Sequence, residues 1–282
     1  EEASLFGVLQ VDDAGRVIGF EEKPASPKPM PTRPGWALAS MGNYFFQRGV
    51  LVDRILADAA DTTSTHDFGK DIIPAMVREG LEVFAYDFAE NRVSGSATTQ
   101  GAYWQDVGTL DSYFDVNMDM RKRLPPIDLY NRAWPFRSAQ RNYPPARFNV
   151  AGGRASVVED SMVCEGSIIS GAHVADCMLG YDCMVHQGAT VEASVLLSGC
   201  NVGAGARLRR VLFHKNCSIA PGTVIGEDPD DDRARFPFVS DAGVVVLPKG
   251  THVPRRGPIE LAGDIESMLR ADPVGAQALS LR

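Results

Sequence analysis

A seventeen-residue repeat of apolar side chains runs from Met162 to Ile225 and constrains the fold more than any other feature of the sequence. Within each period the apolar residues follow one another at steps of six, six and five. Three short strands per turn, each with one inward aliphatic side chain, are typical of a triangular prism of stacked coils. The repeat therefore predicts a left-handed parallel β-helix of about four coils. Its three inward series are Met162, Leu179, Leu196 and Phe213; Ile168, Val185, Val202 and Ile219; and Val174, Val191, Leu208 and Ile225.

Three of the five cysteines share the same spacing, namely Cys183, Cys200 and Cys217. Because stacked coils lie about 4.8 Å apart, these side chains are expected to form one column, in the position that Gly166 occupies one coil earlier. A free cysteine behaves as a small apolar residue and fits such a crowded position. A metal site would need closely spaced ligand pairs, and the sequence contains none. We interpret the column as packing.

Composition limits the functional classes that remain open. A chain of 282 residues is long enough for two hydrophobic cores. The net charge of −8 excludes a general nucleic-acid binder, although it leaves room for a local pocket that binds one phosphorylated metabolite. No apolar run approaches the roughly 20 residues that span a bilayer, and residues 1–4 lack the features of a signal peptide. A cytoplasmic protein without membrane or nucleic-acid partners is expected.

The residues before the repeat show alternating strand and helix patterns, which predict an α/β layer domain over residues 1–124. A proline-rich linker follows at 125–150, and the β-helix domain with its C-terminal tail occupies 151–282. The predicted strands are Phe6–Val11 and Arg16–Glu21, joined as a hairpin, then Leu38–Phe46, Val83–Phe88 and Tyr103–Val107. The predicted helices are Val50–Ala60, Asp67–Glu79 and Thr109–Leu124, the last two capped by Asp67 and Thr109.

Four motifs in the first domain carry the most specific signal, and a fifth lies in the linker. They are Phe20–Pro24, Ala39–Tyr44, Asp67–Asp71 and Tyr103–Thr109, with Leu129–Pro135 in the linker. With these motifs in this order before a β-helix, the chain from about Glu1 to Leu247 resembles bacterial glucose-1-phosphate adenylyltransferase, also called ADP-glucose pyrophosphorylase.

The resemblance implies a partial Rossmann-like nucleotidyltransferase domain followed by the left-handed β-helix. The implied reaction converts ATP and glucose 1-phosphate to ADP-glucose and diphosphate, for glycogen or starch biosynthesis, with Mg²⁺ as the cofactor. A phosphate oxygen of the sugar attacks the α-phosphorus of ATP, so that catalysis depends on positioning and charge neutralisation. The resemblance also implies a homotetramer that phosphorylated metabolites regulate.

The resemblance assigns the glucose 1-phosphate site to Gly7, Glu22, Lys23 and Ser40. Lys23 precedes a proline, which favours an extended backbone, and its compact ammonium group suits a sugar phosphate. Glu22 is expected to accept hydrogen bonds from glucose hydroxyl groups, and the Ser40 hydroxyl to face the same sugar. Gly7 lets the backbone approach the ligand closely. Taken without its motif, Lys23 would be interpreted as an exposed surface lysine.

Asp106 is the implied magnesium ligand, and together with Lys23 it forms the implied catalytic pair. It precedes the predicted helix at Thr109, at a place where α/β folds gather ligands. The alternative is that Asp106 only interacts with the N-terminus of that helix.

Two further expectations concern activity and regulation. The family's glycine-rich nucleotide loop and its second metal-binding aspartate have no counterpart in the chain, so the chain alone is not expected to make ADP-glucose. Lys215 and Lys249 align with arginines that bind allosteric effectors in the family, and Gly199 stands where the family has a glutamate for adenylate. Because lysine lacks the bidentate fork of arginine, an altered effector preference is expected.

Three alternatives stay open. Hexapeptide coils also occur in acyltransferases that use a histidine base, and His173, His186 and His214 lie in or near the coils. Another sugar-nucleotide pyrophosphorylase, specific for GDP-mannose or a UDP-sugar, would share the same layout. A non-catalytic regulatory or oligomerisation subunit would use the exposed strand edges at the ends of the coils.

Overall fold

The computed structural model describes residues 2–30, 33–95, 103–138 and 141–255, together with residues 257 and 259. By its internal packing the chain forms two compact units, Glu1–Arg92 and Val93–Arg282. Each unit has a hydrophobic core of its own.

The first unit is built on a three-stranded antiparallel sheet in the order β2-β1-β3. Strands β1 (Gly7–Val11) and β2 (Val17–Glu22) form the predicted hairpin, and β3 is Leu38–Ala39. In the hairpin turn the Asp12 carboxylate accepts hydrogen bonds from the backbone N–H groups of Ala14 and Arg16, both at 2.9 Å. Aspartate favours turns because its short side chain can bond the backbone in this way.

The helices of the first unit are α1 (Arg48–Ala60) and α2 (Ile73–Arg78), the second preceded by a π-helical turn at Phe68–Ile72; short 3₁₀ turns lie at Glu2–Leu5 and Phe88–Glu90. Helix α2 and the turn before it pack against β2, and α1 packs against that turn. Asp67 caps the π-helical turn as predicted, because its Oδ1 accepts hydrogen bonds from the backbone N–H groups of Gly69 and Lys70 at 2.7 and 2.9 Å. The core of the unit consists of Ile72, Ile73 and Met76, with Phe20, Tyr44, Phe46 and Phe68 packed around them.

Three of the predicted strands are wrong in extent. Only Leu38–Ala39 of Leu38–Phe46 is a strand, and Val83–Phe88 contributes a single bridge, from Phe84 to Arg16. Residues 103–107 form no strand. Apolar alternation indicates an extended chain, but a strand also needs a neighbour with which to exchange hydrogen bonds, and the pattern does not report that neighbour.

The second unit contains a parallel β-solenoid of about five turns, consistent with the predicted left-handed β-helix. Its strands are two or three residues long and form three sheets. The first sheet comprises Arg147–Asn149, Ile168–Ser170, Met184–Val185, Asn201–Val202, Ser218–Ile219 and His252–Val253. The second comprises Val157–Glu159, His173–Ala175, Thr190–Glu192, Arg207–Arg209 and Val224–Ile225. The third comprises Met162–Val163, Met178–Leu179, Val195–Leu196, Val211–Phe213 and Val245–Leu247.

The apolar repeat is confirmed from Val174 onward, but its first two members are one residue out of register. There the inward residues are Val163 and Ile169, each one position after the predicted Met162 and Ile168. The step from Val163 to Leu179 is sixteen residues, one fewer than the step from Leu179 to Leu196. Counting back seventeen residues from Leu179 therefore gives Met162, the residue before the inward Val163. Ile169 is 0% exposed, as an inward residue should be.

One excursion interrupts the solenoid without changing its register. The chain leaves the coils after Ile225, forms helix α4 (Pro229–Arg235), whose side chains are partly acidic, and returns at Val245. Leu247 nevertheless pairs directly with Phe213 on the preceding coil.

The cysteine column is confirmed by the strand register. Cys183, Cys200 and Cys217 lie on successive coils and are each 1% exposed. In the preceding coil the equivalent residue is Ser167 and not the predicted Gly166, because the Ser167 hydroxyl accepts a hydrogen bond from the Cys183 N–H at 3.1 Å. The one-residue shortening of the first coil explains this shift as well.

We expect the protein to lose stability at alkaline pH because the thiol of another cysteine, Cys177, is buried. Cys177 is 0% exposed, and burial raises the pKa of its thiol from 9.0 to about 12. Because the folded-state pKa lies above the unfolded value, the thiol contributes stability that is complete below pH 9 and is lost as the pH rises toward 12. We expect the free energy of unfolding to fall over this range in urea denaturation, and to fall less in Cys177→Ala. Parallel pH profiles for the two proteins would contradict this prediction.

Helix α3 (Leu110–Met120) packs on the outer surface of the third sheet of the solenoid. Its predicted cap is confirmed, since Thr109 and Ser112 form a capping box, and Leu110, Phe114 and Met118 face the same apolar cluster. The apolar periodicity of α3 predicts a helix with one buried face, but it does not indicate which of the two cores that face covers. The division at residues 124 and 150 therefore stays a prediction, and by packing α3 lies with the solenoid.

The N-terminal turn of α3 is also fixed by polar contacts with the excursion. The Asp111 carboxylate accepts hydrogen bonds from the Ser240 hydroxyl and from the Ala242 N–H, the latter at 3.2 Å. We expect Asp111→Ala to lower the free energy of unfolding by about 1–2 kcal/mol, because hydrogen bonds to a charged group are lost and their donors remain. Asp115→Ala, an exposed position on the same helix, is the control and should be nearly neutral in the same chemical denaturation. Equal effects of the two substitutions would contradict the prediction.

Within the described residues, no helix combines the length and the apolar character that crossing a membrane requires.

Candidate functional site

Four of the predicted site residues lie together at one end of the sheet in the first unit. Gly7 on β1 pairs with Glu22 on β2. The Lys23 N–H donates to the Phe6 carbonyl at 3.1 Å, and the Ser40 N–H donates to the Gly7 carbonyl at 2.7 Å. Residues distant in sequence are thus brought together because β1 begins there and β2 and β3 end there. We call this cluster of Gly7, Glu22, Lys23 and Ser40 the sheet-end site.

The Glu22 carboxylate occupies a narrow space within the sheet-end site. A Cβ atom built on Gly7 would lie 2.8 Å from Glu22 Oε2, and one built on Gly69 would lie 2.7 Å from the same oxygen. Glu22 is half-buried, and among the described residues no protein group donates a hydrogen bond to its carboxylate. A carboxylate without protein donors is available to accept hydrogen bonds from the hydroxyl groups of a ligand.

Lys23 departs from the predicted backbone conformation. Its φ is 47°, in the left-handed region, whereas the following proline predicts an extended backbone. The hydrogen bond from its N–H to Phe6 keeps Lys23 in register with β1, and the chain turns out of the sheet at this residue. A left-handed conformation at a residue with a long side chain is strained, and such strain is concentrated at functional sites. The ammonium group is exposed, and it has no ion-pair partner in the part of the chain that the structure describes.

The Ser40 side chain contacts Tyr44, a residue for which the sequence motifs predict no role of its own. The Ser40 and Tyr44 hydroxyl groups lie 3.1 Å apart, and Ser40 Oγ also accepts a hydrogen bond from the Gly42 N–H at 3.2 Å. The Tyr44 ring stacks on Phe68, with centroids 6.0 Å apart and an angle of 27° between the planes. Tyr44 and Phe68 belong to the motifs Ala39–Tyr44 and Asp67–Asp71. Membership of these motifs was the only sequence feature that could have identified them as site residues.

Asp106 lies in the second unit, three residues before the cap of α3. It is exposed, and its Oδ2 accepts a hydrogen bond from the Gly108 N–H at 3.3 Å. Among the described residues, no three His, Cys, Asp or Glu side chains are arranged to hold a metal ion. Proteins commonly bind Mg²⁺ through one or two carboxylates together with substrate phosphates and water. Asp106 therefore fits an ion that arrives with a nucleotide, and the convergence of Asp106 with Lys23 stays a prediction.

The two predicted effector lysines occupy one corner of the solenoid. Phe213 and Leu247 pair in register on adjacent coils. Lys215 lies two residues after Phe213, and Lys249 lies two residues after Leu247. Both lysines are exposed, and the Gly250 N–H donates to the Lys215 carbonyl at 2.9 Å. Two ammonium groups on adjacent coils form a small basic surface suited to an anion.

Gly199 lies one coil before this corner and is constrained by it. Its φ is 78°, and a Cβ atom there would collide with the Asn216 side chain on the next coil. A glutamate at this position would adopt a strained φ and would require the Asn216 side chain to move.

The three histidines of the acyltransferase alternative are each engaged within the solenoid. His173 Nε2 lies 3.0 Å from a Glu159 carboxylate oxygen, and His186 Nε2 lies 2.9 Å from Asn201 Oδ1. His214 Nδ1 accepts a hydrogen bond from the Lys215 N–H at 2.8 Å.

Comparisons with known proteins agree with this two-part architecture. Residues 1–123 match the nucleotidyl transferase family model, and residues 144–247 match the model described as GlmU-like, C-terminal hexapeptide. Glucose-1-phosphate adenylyltransferase 1 of Vibrio vulnificus is 46% identical over 253 residues, which cover 89% of this chain and 61% of that protein. The glucose-1-phosphate adenylyltransferase of Anaeromyxobacter sp. is 46% identical to this chain over 257 residues, which cover 90% of this chain and 62% of that protein. That of Thermus thermophilus is 47% identical over 250 residues, which cover 88% of this chain and 60% of that protein. The chain spans about three fifths of the length of these relatives. It is thus a homologue of the glucose-1-phosphate adenylyltransferases, with a nucleotidyl transferase segment followed by a hexapeptide-repeat solenoid.

Proposed function

We propose that the chain provides the glucose 1-phosphate site of an enzyme that makes ADP-glucose and diphosphate from ATP and glucose 1-phosphate. One observation carries this proposal: Gly7, Glu22, Lys23 and Ser40 come together at the end of one sheet, within the segment that matches the nucleotidyl transferase model. The names of the relatives supply the sugar phosphate and the adenylyl group.

Each residue of the sheet-end site has a role that follows from its surroundings. The Lys23 ammonium group, which has no ion-pair partner among the described residues, attracts the phosphate dianion, and the residue is exposed. The Glu22 carboxylate accepts hydrogen bonds from glucose hydroxyl groups. The Ser40 hydroxyl, fixed by Tyr44, donates to or accepts from another hydroxyl. Gly7 lacks a side chain and so leaves room for the Glu22 carboxylate and the Phe20 ring beside it.

Asp106 is the residue proposed to hold Mg²⁺ against the nucleotide. When bound, the ion would neutralise charge on the phosphates and orient the α-phosphorus for attack. Asp106 also bonds the Gly108 N–H at the start of α3, which gives its carboxylate a defined direction.

We also propose how the protein is regulated, how it assembles and where it is located. Lys215 and Lys249 are proposed to bind phosphorylated effectors, because they place two positive charges on adjacent coils. A homotetramer in the cytoplasm is proposed by analogy with the family. That the chain alone does not make ADP-glucose stays a prediction, which a diphosphate-release assay with ATP, Mg²⁺ and glucose 1-phosphate tests.

The central proposal is tested by calorimetric titration of the chain with sugar phosphates. We expect glucose 1-phosphate to bind at least about tenfold more tightly than mannose 1-phosphate, because the Glu22 and Ser40 side chains select the hydroxyl pattern. Glucose 6-phosphate is the control for simple attraction of a phosphate. A preference for mannose 1-phosphate would favour the GDP-mannose alternative, and no preference among the three would overturn the proposal.

A further inference from the structure

Gly69 borders the sheet-end site, although the sequence gives it no role beyond its motif. It lies in the π-helical turn that Asp67 caps, and it is buried. The atom nearest to a Cβ built on Gly69 is Glu22 Oε2 at 2.7 Å, followed by Asp67 Oδ1 and Glu22 Cδ, both at 3.3 Å. Gly7 approaches the same Glu22 oxygen from the opposite strand, with its Cβ position 2.8 Å away. One carboxylate oxygen thus occupies a slot between two glycines.

The backbone does not require glycine at position 69. Gly69 is not among the residues with positive φ, so an alanine could adopt its conformation. Alanine is also the better helix former, by about 1 kcal/mol in a helix interior. What excludes a side chain at this position is the Glu22 carboxylate itself.

The slot matters because, in the described part of the chain, the Glu22 carboxylate receives no hydrogen bond and forms no ion pair. Its χ angles are free to rotate unless neighbouring atoms restrict them, and the slot between Gly7 and Gly69 supplies that restriction. A carboxylate that is held without protein donors keeps all its lone pairs for a ligand.

We propose that Gly69 is a positioning residue for the sugar phosphate: its missing side chain holds the Glu22 carboxylate in the orientation that receives the glucose hydroxyl groups. This inference rests on the proposed function of the sheet-end site. It differs from a packing role, because the atom displaced by a new Cβ is the end of a flexible side chain. The fold can therefore accept Gly69→Ala while the site cannot.

The test compares Gly69→Ala with Gly49→Ala in the chain used for the calorimetric titration. Gly49 lies in α1, and a Cβ there meets nothing within 4 Å, so Gly49→Ala is the matched control. Gly69→Ala is expected to leave the Tm unchanged or slightly raised and to weaken glucose 1-phosphate binding about tenfold, as expected when hydrogen bonds to a charged group are lost. Gly49→Ala is expected to leave the affinity unchanged.

A double-mutant cycle distinguishes action through Glu22 from any other effect. In a Glu22→Ala background no carboxylate remains to be displaced, so Gly69→Ala is expected to cause no further loss of affinity. An equal additional loss in that background would overturn the inference and assign the effect to the Asp67 cap. Wild-type affinity in Gly69→Ala would overturn the inference while leaving the proposed function intact. A wild-type chain that does not bind glucose 1-phosphate would overturn both.

Discussion

Alanine in place of Lys23 is expected to weaken the binding of glucose 1-phosphate by about 100-fold, equivalent to about 2.7 kcal/mol. The reason is that Lys23, whose backbone belongs to the sheet-end site, supplies an exposed side-chain charge with no ion-pair partner among the described residues. Removal of that charge takes away the attraction of Lys23 for the phosphate dianion, which offsets the repulsion between the phosphate and Glu22. Calorimetric titration of the variant with glucose 1-phosphate measures the change.

Two controls separate the local role of Lys23 from general electrostatics. Lys28→Ala removes an equal charge from the same unit, at a lysine that forms an ion pair with Glu21 at 2.5 Å. It is expected to change the affinity less than threefold. Lys23→Arg keeps the charge and should recover part of the affinity, although a planar guanidinium does not reproduce a compact ammonium. If Lys28→Ala weakened binding as much as Lys23→Ala, the assignment of Lys23 would be wrong.

Alanine in place of Phe213 is expected to lower the free energy of unfolding by about 3–5 kcal/mol. Among the described residues Phe213 is the largest fully buried side chain, with 0% of its surface exposed. It pairs with Leu196 on one coil and with Leu247 on the next, across the excursion that contains α4. A cavity at this position removes contacts from three coils together, and the rigid backbone ladder cannot collapse to fill it.

Denaturant unfolding of Phe213→Ala, followed by circular dichroism, measures this loss. Phe213→Leu keeps most of the volume and is expected to cost about 1–2 kcal/mol. Met184→Ala is the surface control, since Met184 lies in the first sheet of the solenoid beside the inward Val185 and is itself exposed. A Phe213→Ala protein as stable as Met184→Ala would show that the inward series does not form the core.

The solenoid was the most predictable part of the fold, for a physical reason. In stacked coils each inward residue touches its own equivalents, so one periodic pattern specifies both the strands and their partners. The prediction failed only where the period changes. The first coil has one residue fewer, and a constant step therefore named Met162 and Ile168 in place of their neighbours Val163 and Ile169.

The first unit shows what such patterns cannot supply. The hairpin and the cap at Asp67, like the cap at Thr109 in the second unit, were predictable because local turn chemistry determines them. The extents of the other strands were not, since they depend on partners distant in sequence. The sheet-end site was identified through its motifs, whereas the φ of Lys23 and the contact of Gly69 with Glu22 emerge only from the register of three strands.

The excursion at α4 has a consequence for how proteins of this architecture can diversify. Nineteen residues, 226–244, separate two strands, and the ladder resumes as if they were absent. Corners of the prism can therefore receive new segments while the interior stays the same. Segments grafted at these corners, such as affinity tags or foreign binding loops, should be tolerated far better than a single polar residue at an inward position.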